Sequence, residues 1–281
     1  MRALVSGLLA LLALPAAACP GPSAPCTVAG GEYYLILPPS AEAPPPVLMF
    51  LHGWGASARG MLRDTDRLAA LAERGVAYLL PQGIPREGRT QNDWAVEDGF
   101  AHPRDDVAFF QAILEDAARR GIDRDRVLLA GFSRGGSMVW DTACADSALA
   151  AAYAPVAGAY WDPMPAECGN GVVLHHTHGW ADRVVPLEGR PLAEGRLIQG
   201  DFFESLKRLR ATLGCGLRQP DRATAESGLW TRSWTSCDAG RIDVELHPGG
   251  HEVPDAWLGR ALDWFDTVTG AGPPDGRASA D

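Results

Sequence analysis

Short apolar runs alternate with longer amphipathic segments along most of the chain. The apolar runs predict buried strands, and the amphipathic segments between them predict helices. In the first half, the predicted strands are 32–37, 47–51, 76–80 and 127–130, and the predicted helices are 61–74 and 105–119. Such alternation is typical of a parallel sheet covered by helices on both faces.

The same alternation continues in the second half of the chain. The predicted strands there are 151–157, 172–176, 230–234 and 242–246, and the predicted helices are 133–144, 201–213 and 255–268. No repeat, heptad or long low-complexity linker interrupts the pattern. We therefore predict a single α/β domain over residues 19–270.

Both ends of the chain depart from this pattern. Arg2, an apolar stretch over 4–14 and small residues over 16–18 are typical of a signal peptide spanning residues 1–18, which predicts a secreted protein, extracellular or periplasmic. The stretch is too short to cross a bilayer as a helix. Residues 271–281 are rich in Gly, Pro, Ala and Asp and predict a disordered tail.

All six cysteines follow the predicted cleavage site, and in an oxidising compartment an even number predicts disulfides. Their order favours three local pairs, Cys19 with Cys26, Cys144 with Cys168, and Cys215 with Cys237. No two cysteines have the two-residue gap that zinc sites favour, which argues against a metal site. Cys19 at the first mature position leaves a lipid anchor as an alternative, although Ala16 stands where such a signal has a larger apolar residue.

The formal net charge of −10 limits the possible partners. Nucleic acid and anionic membranes would be repelled at long range. We therefore expect no nucleic-acid partner, and no membrane partner unless Cys19 is lipidated.

A candidate nucleophile lies between the predicted strand 127–130 and the helix that follows it. The sequence there is Gly131-Phe132-Ser133-Arg134-Gly135-Gly136. A Gly-x-Ser-x-Gly turn between a strand and a helix is tight enough to require small residues beside the serine, and it presents the hydroxyl at the helix N-terminus. This pattern predicts that Ser133 attacks carbonyl groups.

The strand 47–51 leads into a second glycine-containing loop, His52-Gly53-Trp54. Acyl transfer needs two fixed N–H donors that point at the developing oxyanion. The candidates are the backbone amides of Trp54 and of Arg134, which follows the nucleophile. An ordinary strand-to-helix turn is the alternative for this loop.

Two further loops supply a candidate acid and base. Asp182 follows the strand 172–176, and His251 lies in the glycine-rich loop after the strand 242–246. A carboxylate there orients an imidazole, which in turn takes the serine proton. His247 is a rival base, but it adjoins the strand end and precedes Pro248, which favours a packing or capping role.

Other histidines and aromatic residues have alternative interpretations. His176 and His178 share a strand face while His175 points to the other, which favours packing over a metal site. Trp54 and Trp180 flank the proposed catalytic loops and either pack in the core or line an acyl pocket. We expect no metal and no other cofactor.

Together, the motifs around Trp54, Ser133, Asp182 and His251 resemble those of the secreted polyhydroxybutyrate depolymerase and feruloyl esterase family, and the resemblance extends from about residue 31 to residue 265. It implies an α/β-hydrolase fold with a mostly parallel central sheet and helices on both faces. It also implies a cofactor-free Ser-Asp-His mechanism, with Ser133 as nucleophile, Asp182 as acid and His251 as base. The implied substrates are carboxylic esters: feruloyl or acetyl groups on plant polysaccharide, and hydroxyalkanoate oligomers.

The chain lacks the Ser/Thr-rich linker and polymer-binding module of enzymes that attack solid polyester, so soluble esters are favoured. Two alternatives stay open. A prolyl-type serine peptidase has the same triad order, but usually carries paired glutamates on an added domain. A catalytically silent binding protein would normally have a broken triad. Acyl preference depends on the loops 85–105 and 187–200, whose paths the sequence does not determine.

Overall fold

A computed structural model describes residues 21–39, 42–216 and 219–270. The predicted signal peptide, the predicted tail and Cys19 lie outside these residues. The proposals of secretion, of a disordered tail and of a lipid anchor therefore stay predictions.

The described residues contain strands and helices in alternation. The strands are β1 (Cys26–Val28), β2 (Gly31–Ile36), β3 (Val47–Leu51), β4 (Ala77–Pro81), β5 (Ile84–Pro85), β6 (Asn92–Asp93), β7 (Val127–Phe132), β8 (Ala152–Val156), β9 (Val173–Gly179), β10 (Arg190–Leu192), β11 (Leu197–Gln199), β12 (Arg222–Glu226), β13 (Leu229–Trp234) and β14 (Arg241–His247). The helices are α1 (Ala58–Met61), α2 (Thr65–Glu73), α3 (Asp106–Arg119), α4 (Arg134–Ala145), α5 (Phe202–Thr212) and α6 (Trp257–Val268), with short 3₁₀ turns at Gly21–Ser23 and Ala193–Gly195.

One ten-stranded sheet, in the order β1-β2-β4-β3-β7-β8-β9-β14-β13-β12, organises the molecule. Its central strands, from β4 to β14, are parallel. The outer strands at both edges pair antiparallel. The prediction of a mostly parallel central sheet is confirmed.

The sheet separates two hydrophobic layers, and β3 contributes to both. Val47, Met49 and Leu51 pack in one layer, while Leu48 and Phe50 pack in the other. This two-residue alternation with apolar side chains on both sides is what a strand covered on both faces requires. The first layer includes residues of α3, α4 and α5, and the second includes residues of α1, α2 and α6.

Two of the three predicted disulfides, Cys144–Cys168 and Cys215–Cys237, are present. The third prediction involves Cys19 and lies outside the described residues. Within the described ranges, none of the helices combines the length and the apolarity that crossing a bilayer requires.

Candidate active site

Ser133 lies at the turn between β7 and α4 in an unusual backbone conformation, with φ 58° and ψ −121°. A residue with a side chain rarely adopts positive φ, and such strain persists only where neighbouring structure holds it. Here the Ser133 N–H donates to the Val156 carbonyl at 2.9 Å, and the Ser133 carbonyl accepts from the Ser137 N–H at 2.9 Å. The sheet and the helix thus hold the hydroxyl at the carboxyl edge of β7.

The glycines beside Ser133 are required by backbone contacts. A Cβ on Gly135 would lie 2.6 Å from the His52 carbonyl oxygen, and one on Gly131 would lie 2.6 Å from the Gly135 carbonyl oxygen. Both contacts are with backbone oxygens, which cannot move aside as the end of a flexible side chain can. The Gly-x-Ser-x-Gly pattern therefore reflects how closely α4 approaches β3 and β7.

The loops that carry Asp182 and His251 are joined to each other by backbone hydrogen bonds. They follow β9 and β14, which are adjacent parallel strands. Trp180 N–H donates to the His247 carbonyl at 2.7 Å, and Ala181 N–H donates to the Gly249 carbonyl at 3.0 Å. Gly179 permits this approach, because a Cβ there would collide with the Gly249 and Gly250 carbonyls.

The structure brings the three residues proposed as nucleophile, acid and base together. The Ser133 hydroxyl lies 2.9 Å from His251 Nε2, and His251 Nδ1 lies 2.7 Å from Asp182 Oδ2. Both distances permit hydrogen bonds, with Nδ1 donating to the carboxylate and Nε2 accepting from the hydroxyl. In this tautomer, His251 can take the serine proton.

Asp182 is buried and accepts several hydrogen bonds. Its Oδ1 accepts from the N–H groups of Val184 and Val185, both at 2.8 Å. His178 Nε2 lies 3.3 Å from Oδ2, the oxygen that also accepts from His251. Burial alone would raise the pKa of Asp182, but the hydrogen bonds from His178, His251 and Val185 outweigh it and hold the pKa well below its ordinary value. Asp182 is thus a carboxylate at neutral pH.

The sequence predicted only a packing role for the buried histidines behind Asp182, and the structure adds a chain of hydrogen bonds. Trp140 Nε1–H donates to His176 Nδ1 at 3.3 Å, and His176 Nε2 lies 3.0 Å from His178 Nδ1. Since an indole only donates, His176 must carry its proton on Nε2, and His178 must carry its own on Nε2, 2.8 Å from the Val185 carbonyl. The chain of donors therefore places an N–H beside Asp182.

The packing interpretation of the remaining histidines agrees with their contacts. His175 points to the opposite side of β9 from His176 and packs against Trp264, with ring centroids 5.2 Å apart. His247 is buried, and its Nδ1 accepts from the Gly249 N–H at 3.1 Å. His247 thus supports the loop that carries His251.

The candidate oxyanion donors, the backbone amides of Trp54 and Arg134, belong to two segments that adjoin Ser133. Arg134 is the first residue of α4, where a helix N–H has no acceptor within the helix. The loop with Trp54 lies against the nucleophile, since a Cβ on Gly53 would be 3.5 Å from Ser133 Cβ. His52 fixes this loop: its Nε2 accepts from Gly83 N–H at 3.0 Å, and its carbonyl accepts from Trp94 Nε1–H at 2.7 Å.

The Arg134 side chain forms buried ion pairs with two aspartates. Its guanidinium donates to Asp93 at 2.7 Å and to Asp98 at 2.6 Å, and it stacks over the Trp161 ring at 4.6 Å. Asp98 also accepts from Arg86 at 2.8 and 3.0 Å. These ion pairs join α4 to the loop before α3 and hold the guanidinium through Nε and Nη2. Nothing in the spacing along the sequence indicated these partners.

A cavity of about 780 Å³ opens at Ser133. This volume is in the range of sites that enclose small organic ligands. Its walls come from the loop after β4 and from the β10–β11 hairpin, with Trp54, Phe100 and Trp161 among the lining residues. Within the described chain, Trp180 is not among the residues that line it, and its ring instead packs edge-on against Trp230.

A sequence model of the phospholipase/carboxylesterase family matches residues 34–201 of the chain. The match covers more than half of the sequence and includes the β7–α4 turn and the loop after β9. The chain belongs to the phospholipase/carboxylesterase family. His251 lies beyond the matched residues, so its place in the site depends on the geometry described above.

Individual relatives of this carboxylesterase family member are similar to it over most of its length. Feruloyl esterase D of Neurospora crassa is 28% identical over 282 residues, which covers 88% of each protein. An acetyl xylan esterase from Aspergillus awamori superposes with a TM-score of 0.63 at 14% identity, over 83% of this chain and 93% of its own. A Bacillus cereus carboxylesterase gives 0.55 at 13% identity, over 84% and 94%. The α/β-hydrolase fold is thus confirmed, and the protein is an esterase of the carboxylesterase type.

Asp141, on α4 of this esterase, couples stability to pH. It is buried, its Oδ2 accepts from the Glu97 N–H at 2.9 Å, and its Oδ1 has no hydrogen-bond partner in the described residues. Burial raises its pKa from 3.8 to about 7. Because the folded pKa lies above the unfolded one, the folded protein binds the extra proton between these values, and Asp141's contribution to stability falls as pH rises from about 4 to about 7.

Asp141→Asn is therefore expected to stabilise the protein in a pH-dependent way. The uncharged amide resembles the protonated acid, so the two proteins should be similarly stable near pH 4. The variant should gain as pH rises, up to about 4 kcal/mol above pH 7. Denaturant titrations of both proteins from pH 4 to pH 8 measure the difference. A stability difference that does not change with pH would contradict the assignment.

Proposed function

We propose that the protein hydrolyses carboxylic esters through an acyl-enzyme on Ser133. The observation that carries this proposal is the hydrogen-bond chain from the Ser133 hydroxyl to His251 at 2.9 Å and on to Asp182 at 2.7 Å, at the opening of the cavity. His251 takes the hydroxyl proton as Oγ attacks the ester carbonyl, and Asp182 stabilises the imidazolium that forms. The backbone amides of Trp54 and Arg134 stabilise the oxyanion.

Collapse of the tetrahedral intermediate expels the alcohol, which leaves with the proton from His251. Water then attacks the acyl-enzyme with His251 as base, and the acid departs as Ser133 regains its proton. The steps need no group beyond these residues and water. Soluble feruloyl, acetyl or hydroxyalkanoate esters, including esters of polysaccharide, are the proposed substrates, and the aromatic side chains of Trp54, Phe100 and Trp161 in the cavity wall support an aromatic acyl group.

We also propose that the enzyme acts outside the cytoplasm. The Cys144–Cys168 and Cys215–Cys237 disulfides support an oxidising compartment. The predicted signal peptide supports the same location.

The proposal is tested with three substrates and a covalent probe. We expect turnover of methyl ferulate and 4-nitrophenyl butyrate, and none of an aminoacyl-proline 4-nitroanilide. A fluorophosphonate should label the protein once, and peptide mass spectrometry should place the label on Ser133. Hydrolysis of the anilide in preference to both esters would favour the peptidase alternative. Absence of labelling would contradict the acyl-enzyme mechanism.

A further inference from the structure

The cavity at Ser133 carries more positive than negative side chains, although the whole chain has a net charge of −10. The charged lining residues are Arg86, Arg89, Arg134, Arg190 and Arg196 on the positive side, and Glu87, Asp93 and Asp98 on the negative side. A protein with this overall charge repels anions at long range. A local excess of arginines at the site therefore requires an explanation.

Two of these arginines are neutralised inside the protein. Arg134 pairs with Asp93 and Asp98 at 2.7 and 2.6 Å, and Arg86 pairs with Asp98 at 2.8 Å. Both aspartates are buried, so the charges of these ion pairs cancel within the cavity wall. The excess positive charge therefore resides on the remaining arginines.

Arg190 is held in place by a buried neighbour. It lies opposite Gln199 in the β10–β11 hairpin, and its Nε donates to Gln199 Oε1 at 3.0 Å. Gln199 is only 6% exposed and also lines the cavity. This hydrogen bond uses a single donor of the guanidinium, so the terminal N–H groups stay available for a ligand.

Arg190 has no carboxylate partner within 4.0 Å in the described residues, although it is half-buried. Partial burial of a cation costs free energy, and an anion that binds beside the cation offsets part of this cost. Planar guanidinium groups bind carboxylates through two parallel hydrogen bonds. The exposed side chains of Arg89 and Arg196, which line the same cavity, add to the attraction.

We propose that Arg190, oriented by Gln199, binds a carboxylate of the substrate, and that the enzyme prefers esters that carry this second, negatively charged group. The carboxylate belongs either to the acyl group, as in a half ester of a dicarboxylic acid, or to the alcohol, as in an ester of a sugar acid. This inference rests on the proposed ester hydrolysis at Ser133.

Two matched substrate pairs separate these sources. Mono-4-nitrophenyl adipate is compared with 4-nitrophenyl hexanoate for the acyl side, and caffeoylquinate is compared with its carboxamide for the alcohol side. In one pair, we expect kcat/KM for the anionic ester to exceed that of the neutral one by about tenfold, which corresponds to about 1.4 kcal/mol. The preference should shrink between 0.05 and 0.5 M NaCl, because salt screens exposed charges.

Arg190→Gln should abolish this preference, so that the ratio of kcat/KM for the anionic ester to kcat/KM for the neutral ester falls from about ten to about one. Gln199→Glu should also abolish the preference, because the new carboxylate would pair with Arg190 in place of the substrate carboxylate. Arg222→Gln is the matched control, since it removes the same charge from the exposed edge strand β12. It should retain the preference.

The outcomes distinguish this inference from the proposed function. Turnover of the neutral esters without charge preference in either pair would overturn the inference alone, as would a preference that survives Arg190→Gln. Failure of the wild type to hydrolyse any of these esters would overturn both proposals.

Discussion

Ser133→Ala is expected to lower kcat for 4-nitrophenyl butyrate by about 10⁵-fold while the protein stays folded. The substitution removes the oxygen that we propose forms the acyl-enzyme, and neither His251 nor Asp182 can replace it. The remaining turnover would come from the oxyanion donors and from binding. Steady-state rates of the purified variant measure the loss, and circular dichroism and thermal unfolding establish that the fold is retained.

Ser236→Ala is the matched control, because Ser236 is exposed in the turn after β13. It should retain wild-type kcat and KM. The Ser133 variant should also lose labelling by a fluorophosphonate. If it keeps more than about a hundredth of the wild-type kcat, another residue must be the nucleophile.

The central strands could be predicted from the sequence because both of their faces are buried. Strand β3 begins and ends at the predicted residues, 47 and 51. Its uninterrupted apolar run follows from packing against both hydrophobic layers. The apolar runs of β7 and β8 follow the same rule, so these strands could be predicted from the local pattern. In β9 the apolar run is short, and the strand continues through buried polar residues to Gly179, three residues beyond its predicted end.

The edge strands and cavity hairpin lack this signal. β12 (Arg222–Glu226) has almost no buried side chain and is held by pairing with β13. The β10–β11 hairpin likewise depends on pairing between its own strands. Such pairing depends on partners outside the local sequence, and an apolar pattern does not indicate it. The predicted helix over 61–74 is confirmed as α2 (Thr65–Glu73), but its start was predicted four residues too early. The chain breaks between α1 and α2, where Asp64 accepts from the Arg67 N–H at 3.0 Å and caps the second helix.

The positions of Ser133, Asp182 and His251 could be anticipated because each follows a strand of the parallel sheet. Parallel strands end at a common edge, so the loops after β7, β9 and β14 meet there. The partners that support these residues could not be anticipated. The pairing of Arg134 with Asp93 depends on the path of a loop, and the contact between His178 and Asp182 depends on a turn that brings position 182 back beside the strand.

Asp182→Asn is expected to lower kcat by about 10⁴-fold with little change in KM. The carboxylate Oδ1 already accepts from the N–H groups of Val184 and Val185, so the amide oxygen of the variant should take that position. The amide nitrogen would then face His251 and donate to Nδ1. His251 would carry its proton on Nε2, toward Ser133, and could no longer accept the hydroxyl proton.

Steady-state kinetics on 4-nitrophenyl butyrate measure this effect, and Asp263→Asn on the surface of α6 is the control. Asp263 pairs with Arg74 and its side chain is 70% exposed, so its variant should keep the wild-type kcat. His178 also donates to the Val185 carbonyl at 2.8 Å, so this interaction should persist in the Asp182 variant and support the loop. A kcat within tenfold of the wild type would mean that His251 still accepts the hydroxyl proton without the carboxylate, so that Asp182 does not set its tautomer.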